Sequence, residues 1–262
     1  MSEVKNAAQG KFCWIDLATS DQESAIKFYS ELFGWSAFDA PMGDGEVYSM
    51  MQIGGKNVCG LYTLNKDQKA QNIPPHWMSY IAVNNVDEVA GKVVALGGKL
   101  MMQPADVFES GRMAIIQDPI GAVVALWQTK QPDSVFLIYE QGTLCWNELM
   151  TTDTEKAGDF YANLLGYTKN VQNMGTFDYT TFMVGEEMAG GMMAITEEMG
   201  PVPPNWGIYI AVDDCDQTVD KAKSLGAKAI VPPMDIPTVG RFCTLMDPQG
   251  AVFSVIKMES QN

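Results

Sequence analysis

The feature that most restricts what this chain can fold into is an internal repeat. CWIDLATSDQESAIKFYSELFGW, from Cys13 to Trp35, returns as CWNELMTTDTEKAGDFYANLLGY, from Cys145 to Tyr167, at an offset of 132 residues. HWMSYIAVNNVDE from His76 matches NWGIYIAVDDCDQ from Asn205, and SGRMAIIQDPIGAV matches VGRFCTLMDPQGAV, both at an offset of 129. Separated blocks that keep order and nearly constant spacing require duplication of a whole unit, because chance resemblance preserves neither. The repeat therefore predicts two tandem domains, at 10–130 and 141–258. Between them TKQPDSVFLIYEQGT, Thr129 to Thr143, begins with turn formers and then turns apolar, as expected of a short linker partly packed on the body.

Within each copy, hydrophobic period and turn residues set the order of elements. FCWIDLA alternates as a strand, and Thr19, Ser20 and Asp21 are good N-cap residues ahead of the helical pattern ESAIKFYSELF, with Gly34 as its stop. EVYSMMQI and NVCGLYTL, split by Gly54 and Gly55, read as an antiparallel meander. The half-copy is thus β-α-β-β-β. SYIAV, a helix over Asp87 to Leu96 ended by Gly97 and Gly98, and then KLMMQPA, GRMAIIQD and AVVALWQ repeat that order. The fold class is α+β: four βαβββ modules in series forming concave mixed sheets with helices on the outer face, the concave face being left free to line a cavity.

Composition narrows the function. Seventeen Lys and Arg against 32 Asp and Glu leave a net charge of -15, so the surface repels phosphate backbones and anionic headgroups. Nucleic acid and membrane are not expected partners, and no window approaches the roughly 20 apolar residues of a membrane span. The polar start MSEVKNAAQGK lacks the apolar core of a secretory signal, which predicts a cytoplasmic protein. Five cysteines without a C-x-x-C pair fit free thiols in a reducing compartment.

The motifs F-Y-x-x-x-[FL]-G-[WY] after a capped strand and D-P-x-G before a final strand (Asp118-Pro119-Ile120-Gly121 and Asp247-Pro248-Gln249-Gly250) give the chain its affinity. In these it resembles the vicinal oxygen chelate superfamily, which contains glyoxalase I, bleomycin-resistance proteins and extradiol dioxygenases, over Lys11 to Lys257. The resemblance implies a small-molecule ligand and, in metal-binding members, ligands from the first, fourth, fifth and last strands of a paired module. Here those places hold Trp14 and Trp146, Gly60 and Gly190, Met78 and Gly207, and Ala125 and Ser254. An indole nitrogen donates only, and none of the others supplies an imidazole, thiolate or carboxylate. The expectation is no metal and no cofactor. His76, the single histidine, has Asn205 as its counterpart and reads as a loop-packing residue.

Because side chains alternate along a strand, Trp14 shares a face with Asp16, and Trp146 with Glu148. A carboxylate beside an indole in an apolar concavity can orient a ligand amine or hydroxyl, or act as an acid-base group if burial raises its pKa. Alternatively it closes the strand structurally, hydrogen-bonded to backbone or to the recurring Arg112 and Arg241. Tyr80, Tyr209 and Trp127 are further candidates for the cup lining, with Phe108, Tyr48 and Met50, Met51, Met101, Met102, Met192 and Met193 around them. The sequence therefore predicts metal-independent binding of a small, largely apolar molecule in a monomer or homodimer. The competing readings are a metal-free enzyme using Asp16 or Glu148 with a tyrosine, and a metal-dependent lyase or dioxygenase.

Overall fold

The computed structural model describes residues 3–5, 7–43, 45–131 and 135–259. The first module is β2 (Phe12–Thr19), α1 (Gln22–Phe33), β3 (Ser36–Gly43), β4 (Glu46–Ile53) and β5 (Lys56–Thr63), preceded by β1 (Glu3–Lys5). After a short helix α2 (Lys66–Ala70), the second module is β6 (His76–Ala82), α3 (Val86–Val93), β7 (Lys99–Val107), β8 (Gly111–Gln117) and β9 (Val123–Thr129). The linker supplies β10 (Val135–Leu137). The third module is β11 (Leu144–Thr151), α4 (Thr154–Leu165), β12 (Thr168–Asn173), β13 (Asp178–Val184) and β14 (Glu187–Ala194). The fourth is β15 (Asn205–Ala211), α5 (Cys215–Ser224), β16 (Lys228–Ile236), β17 (Gly240–Met246) and β18 (Val252–Met258).

Each copy forms one mixed sheet. In the C-terminal copy the order is β12-β13-β14-β11-β15-β18-β17-β16, and β3-β4-β5-β2-β6-β9-β8-β7 repeats it in the N-terminal copy. The first strands of paired modules, β2 with β6 and β11 with β15, run antiparallel through the middle, while each pairs in parallel with the last strand of its own module. The sheets are curled, as the four-module reading requires.

Local chemistry accounts for the helices. Asp21 and Asp153 cap α1 and α4, each accepting the backbone N–H three residues on, and Gly34 and Gly166 end them in the left-handed region at φ 76° and 77°. The second helix is shorter than Asp87 to Leu96: α3 is Val86–Val93, capped by Asn85. Its apolar period does run on to Leu96, but Gly98 N–H returns to the Val93 carbonyl and Gly97 N–H to Val94, closing the last turn early. The first strand after α1, SAFDAPMG, lies at the sheet edge, exposed for nearly its whole length, so it has no alternation to read and tolerates Pro41.

The helices lie on the convex faces, and those faces meet. One core joins Phe28, Tyr29 and Leu32 of α1 to Val219 and Ala222 of α5 and Phe253 of β18; the other joins Val89 and Val93 of α3 to Phe160, Tyr161 and Leu164 of α4. Module one thus packs on module four, and module two on module three. The recurring motifs explain one another across this junction. Tyr29 donates to Asp247 Oδ2 at 2.9 Å and accepts from Trp77 Nε1 at 3.2 Å, while Asp247 Oδ1 takes the backbone N–H groups of Gln249, Gly250 and Ala251. Tyr161, Trp206 and Asp118 repeat the arrangement with the copies exchanged, at 2.8 and 3.2 Å. The tyrosine of F-Y in one copy therefore holds the D-P-x-G turn of the other.

Candidate functional site

With the helices on the convex side, the concave face of the N-terminal sheet carries Trp14 and Asp16 of β2, Tyr80 of β6 and Trp127 of β9. Trp14, Tyr80 and Trp127 belong to a cluster, with Cys13, Met78, Met113 and Ile115, that is separate from both cores, and Asp16 is hydrogen-bonded to Trp14 and Tyr80 within it. Asp16 is 5% exposed. Its Oδ1 accepts from Trp14 Nε1 at 2.7 Å and from the Tyr48 hydroxyl, and its Oδ2 accepts from the Tyr80 hydroxyl at 2.6 Å. Trp14 Nε1 also lies 2.8 Å from the Tyr48 oxygen. Burial pushes the Asp16 carboxyl above its ordinary value, against the pull of the Tyr48, Tyr80 and Trp14 donors and of His76. The same burial, with the adjacent carboxylate, raises the Tyr48 and Tyr80 hydroxyls well above the usual phenol value.

The C-terminal sheet repeats the cluster with one methylene more. Glu148, 7% exposed, accepts from Tyr179 at Oε2 and from Tyr209 at Oε1, both at 2.8 Å, and Trp146 Nε1 donates to the Tyr179 oxygen at 2.9 Å. Burial raises this carboxyl too. The rings around it differ. Trp127 stands edge-on to Tyr80 at 6.3 Å in the first cup, whereas in the second its counterpart is the buried Ile256 and Phe242 packs on Tyr209 at 6.1 Å. Phe136 of β10 adds an edge-on ring against Trp14 at 6.3 Å.

A glycine makes room for each cluster. The pairing of β2 with β5 sets Gly60 beside Asp16, and that of β11 with β14 sets Gly191 beside Glu148, so the register selects Gly191, not Gly190, as the counterpart of Gly60. A Cβ on Gly60 would fall on the Tyr48 hydroxyl and its ring carbon, and one on Gly191 on the Tyr179 hydroxyl. The phenol oxygen thus fills the space into which a fourth-strand side chain would otherwise project. A divalent metal does not fit these residues. The matched places offer indole, glycine, thioether, methyl and a serine hydroxyl, and no group of three or more His, Cys, Asp or Glu capable of holding an ion occurs among the described residues.

Several sequence-based expectations are thus brought together: Trp14, Asp16, Tyr80 and Trp127 in one cup, and Trp146, Glu148 and Tyr209 in the other. The arginine partnership is not. Arg112 forms a two-pronged pair with Asp87 at 2.7 and 2.8 Å and reaches Asp106, and Arg241 does the same with Asp216 and Asp235. Alternation is the reason, since Met113 faces the cup and its neighbour Arg112 must face the helices. Phe108 is 67% exposed in a turn at φ 46°, and Met51 and Met192 lie in the helical cores, so none of these lines a cup. His76 opens β6 with Nδ1 2.8 Å from the Pro74 carbonyl. Tyr179 was not among the sequence-derived candidates, although DYTTFMV follows Trp146 as EVYSMMQI follows Trp14. The five cysteines are free and buried. A surface depression of about 330 Å³ lies elsewhere, over α4, but Asp153 there caps the helix and Asp159 pairs with Lys169, leaving no comparable cluster.

The duplicated βαβββ sheets and the position of these clusters define a class of protein. The sequence profile of the Glyoxalase/Bleomycin resistance protein/Dioxygenase superfamily matches residues 11–126 and 143–255, and the chain belongs to that superfamily. Among curated relatives, "Putative glyoxylase CFP32" of Mycobacterium tuberculosis is 43% identical over 255 residues, covering 97% of each chain. Anthracycline biosynthesis protein DnrV of Streptomyces peucetius is 32% identical over 266 residues, covering 96% of this chain and 94% of its own. Solved structures share the fold at low identity. The Mn(II)-bound glyoxalase from Novosphingobium aromaticivorans has a TM-score of 0.66 at 15% identity, covering 96% of this chain and 83% of its own. The 2,3-dioxygenase LapB from Pseudomonas sp. KL28 has 0.66 at 13%, covering 98% and 95%. No helix among the described residues is long and apolar enough to cross a membrane.

Proposed function

We propose that this chain binds a small, largely apolar molecule in its concave cups without using a metal ion. The observation that carries this reading is the pair of phenol oxygens, Tyr48 above Gly60 and Tyr179 above Gly191, which take the space of a fourth-strand ligand and satisfy the carboxylate with a proton in place of a cation. The rest of the lining is indole, phenol and thioether, which suits an apolar body with one or two oriented polar groups. Names among the relatives, a glyoxylase and anthracycline biosynthesis proteins, are compatible with small organic molecules as partners. The test is metal content together with ligand binding. Protein purified without chelator should contain well under one equivalent of zinc, nickel, manganese or iron, and indole fluorescence should respond to apolar ligands equally with and without EDTA. Stoichiometric metal, or binding abolished by EDTA, would return the chain to metal-dependent lyase or dioxygenase chemistry.

A second reading has its own support in the raised Asp16 and Glu148 carboxyls, each touching two tyrosines. A carboxyl whose affinity for a proton is raised by burial, held against two phenols, is the kind of group a metal-free acid-base enzyme requires. Asp16→Asn and Glu148→Gln separate the two. Binding retained with turnover lost would favour the enzyme; both retained would favour a binding module.

A further inference from the structure

The N-terminal cluster also bears on the charge of the ligand, an argument that rests on the cup-binding proposal above. Asp16 is hydrogen-bonded by three neutral groups, and no ion pair among the described residues involves it. The recurring arginines are committed to the helix side of the sheets. Tyr48 and Tyr80 give their protons to Asp16, and the Tyr48 oxygen also accepts from Trp14, so the oxygen that presents a lone pair in return, polarised by the carboxylate behind it, is that of Tyr80. Such an oxygen accepts from a ligand donor. A neutral hydroxyl would supply the hydrogen bond, but only a cation also gains from the carboxylate charge and from the faces of the surrounding rings.

Those rings are concentrated in one cup. Tyr62 stacks beside Tyr48 at 6.5 Å, Trp127 stands against Tyr80 and Phe136 against Trp14, whereas the second cup has Met193 and Ile256 in the places of Tyr62 and Trp127. We infer that the N-terminal cup takes a compact aromatic or alicyclic compound bearing a protonated amine, its ammonium seated on the Tyr80 oxygen beside Asp16. The titratable groups around that seat are Cys13 on β2, Tyr48 on β4, Cys59 and Tyr62 on β5, and His76 and Tyr80 on β6. The cysteine and tyrosine side chains stay neutral over the working range because burial raises all of them. Affinity for an amine accordingly rises with pH as Asp16 ionises, and falls again when the amine itself deprotonates.

The experiment titrates ¹⁵N-labelled protein with 2-(1-naphthyl)ethylamine and with its neutral isostere 2-(1-naphthyl)ethanol, reading the indole N–H resonances of Trp14 and Trp146 to report the two cups separately. The amine should bind about tenfold more tightly than the alcohol, the size of one desolvated cation–π contact, and should move Trp14. Asp16→Asn should reduce that preference to about twofold or less. Tyr80→Phe, which keeps the ring and removes one acceptor, should also lower it, so the inference remains testable should Asp16→Asn not fold. Equal affinity for amine and alcohol would overturn the cation assignment while leaving cup binding standing. A response at Trp146 alone would overturn the choice of cup, and no response at either indole would overturn both the inference and the reading beneath it.

Discussion

Replacing Gly60 by alanine adds a single methyl group, yet it should dismantle the N-terminal cluster. The new Cβ would coincide with both the hydroxyl and the ring carbon of Tyr48, too close for a small adjustment, so the whole ring has to leave. Its departure removes the Tyr48 bond to Asp16 and the Trp14 bond to Tyr48, leaving Trp14 as the only donor on Oδ1 of a carboxyl that is 5% exposed. A hydrogen bond to a charged group is worth roughly 1.5–3 kcal/mol and a neutral one about 1 kcal/mol, so the expected loss is about 2–4 kcal/mol. Tyr48→Phe deletes the same bonds without the clash and should fall at the lower end. Gly91→Ala is the control: it lies exposed in α3 with nothing near the added methyl, and should stabilise by roughly 0.5–1 kcal/mol through helix propensity. Urea unfolding followed by circular dichroism gives all three values. Should Gly60→Ala prove as stable as the parent chain, the phenol would not occupy the place above Gly60 and the metal-free reading would lose its main support.

Three further outcomes follow from the geometry. Tyr29→Phe keeps the ring but orphans Trp77 Nε1 and one acceptor of Asp247, so it should cost about 2–4 kcal/mol in urea unfolding, and a double-mutant cycle with Asp247→Asn should show coupling above about 1 kcal/mol. Additive losses would contradict the tie between copies. Burial raises Asp16, Glu148 and Asp247 above their unfolded values of 3.8, 4.5 and 3.8, so the stability they contribute is full below pH 4 and drains away as pH rises through the elevated native values. Asp16→Asn with Glu148→Gln should flatten that decline in pH-dependent urea midpoints, whereas an unchanged slope would mean neither carboxyl is perturbed. Arg112→Ala, by contrast, breaks a solvent-screened pair and should leave the urea midpoint nearly unchanged, with a marked loss measured by the same method indicating that the arginine reaches inward.

What could be read from the sequence was whatever is local or duplicated. The capped helix between Asp21 and Gly34, the meander around Gly54 and Gly55, and the side-by-side placement of Trp14 and Asp16 follow from periodicity and alternation over a few residues. The partners of Asp16 do not, because Tyr48 reaches it from two strands away across a glycine whose emptiness is visible only once β2, β5 and β4 are in register. Parity along β8 would have excluded Arg112 from the cup had Met113 been assigned to it first. The linker was legible as partly packed, but its pairing as β10 with β1 and with β5 depends on segments more than 70 residues apart. Likewise F-Y and D-P-x-G were visible as separate signatures, while nothing in either says that it binds the other copy's.

That exchange makes each half of the chain incomplete by itself. A single copy would carry two naked apolar surfaces, each with one helix and no opposing helix, one of them holding a tyrosine without its turn and the other a turn without its tyrosine. Two such copies on separate polypeptides would have to find each other before either could close its interior. The linker spares them that search by holding the pair at high effective concentration. A lesion in the first half is for the same reason felt in the second, whichever cup it spares.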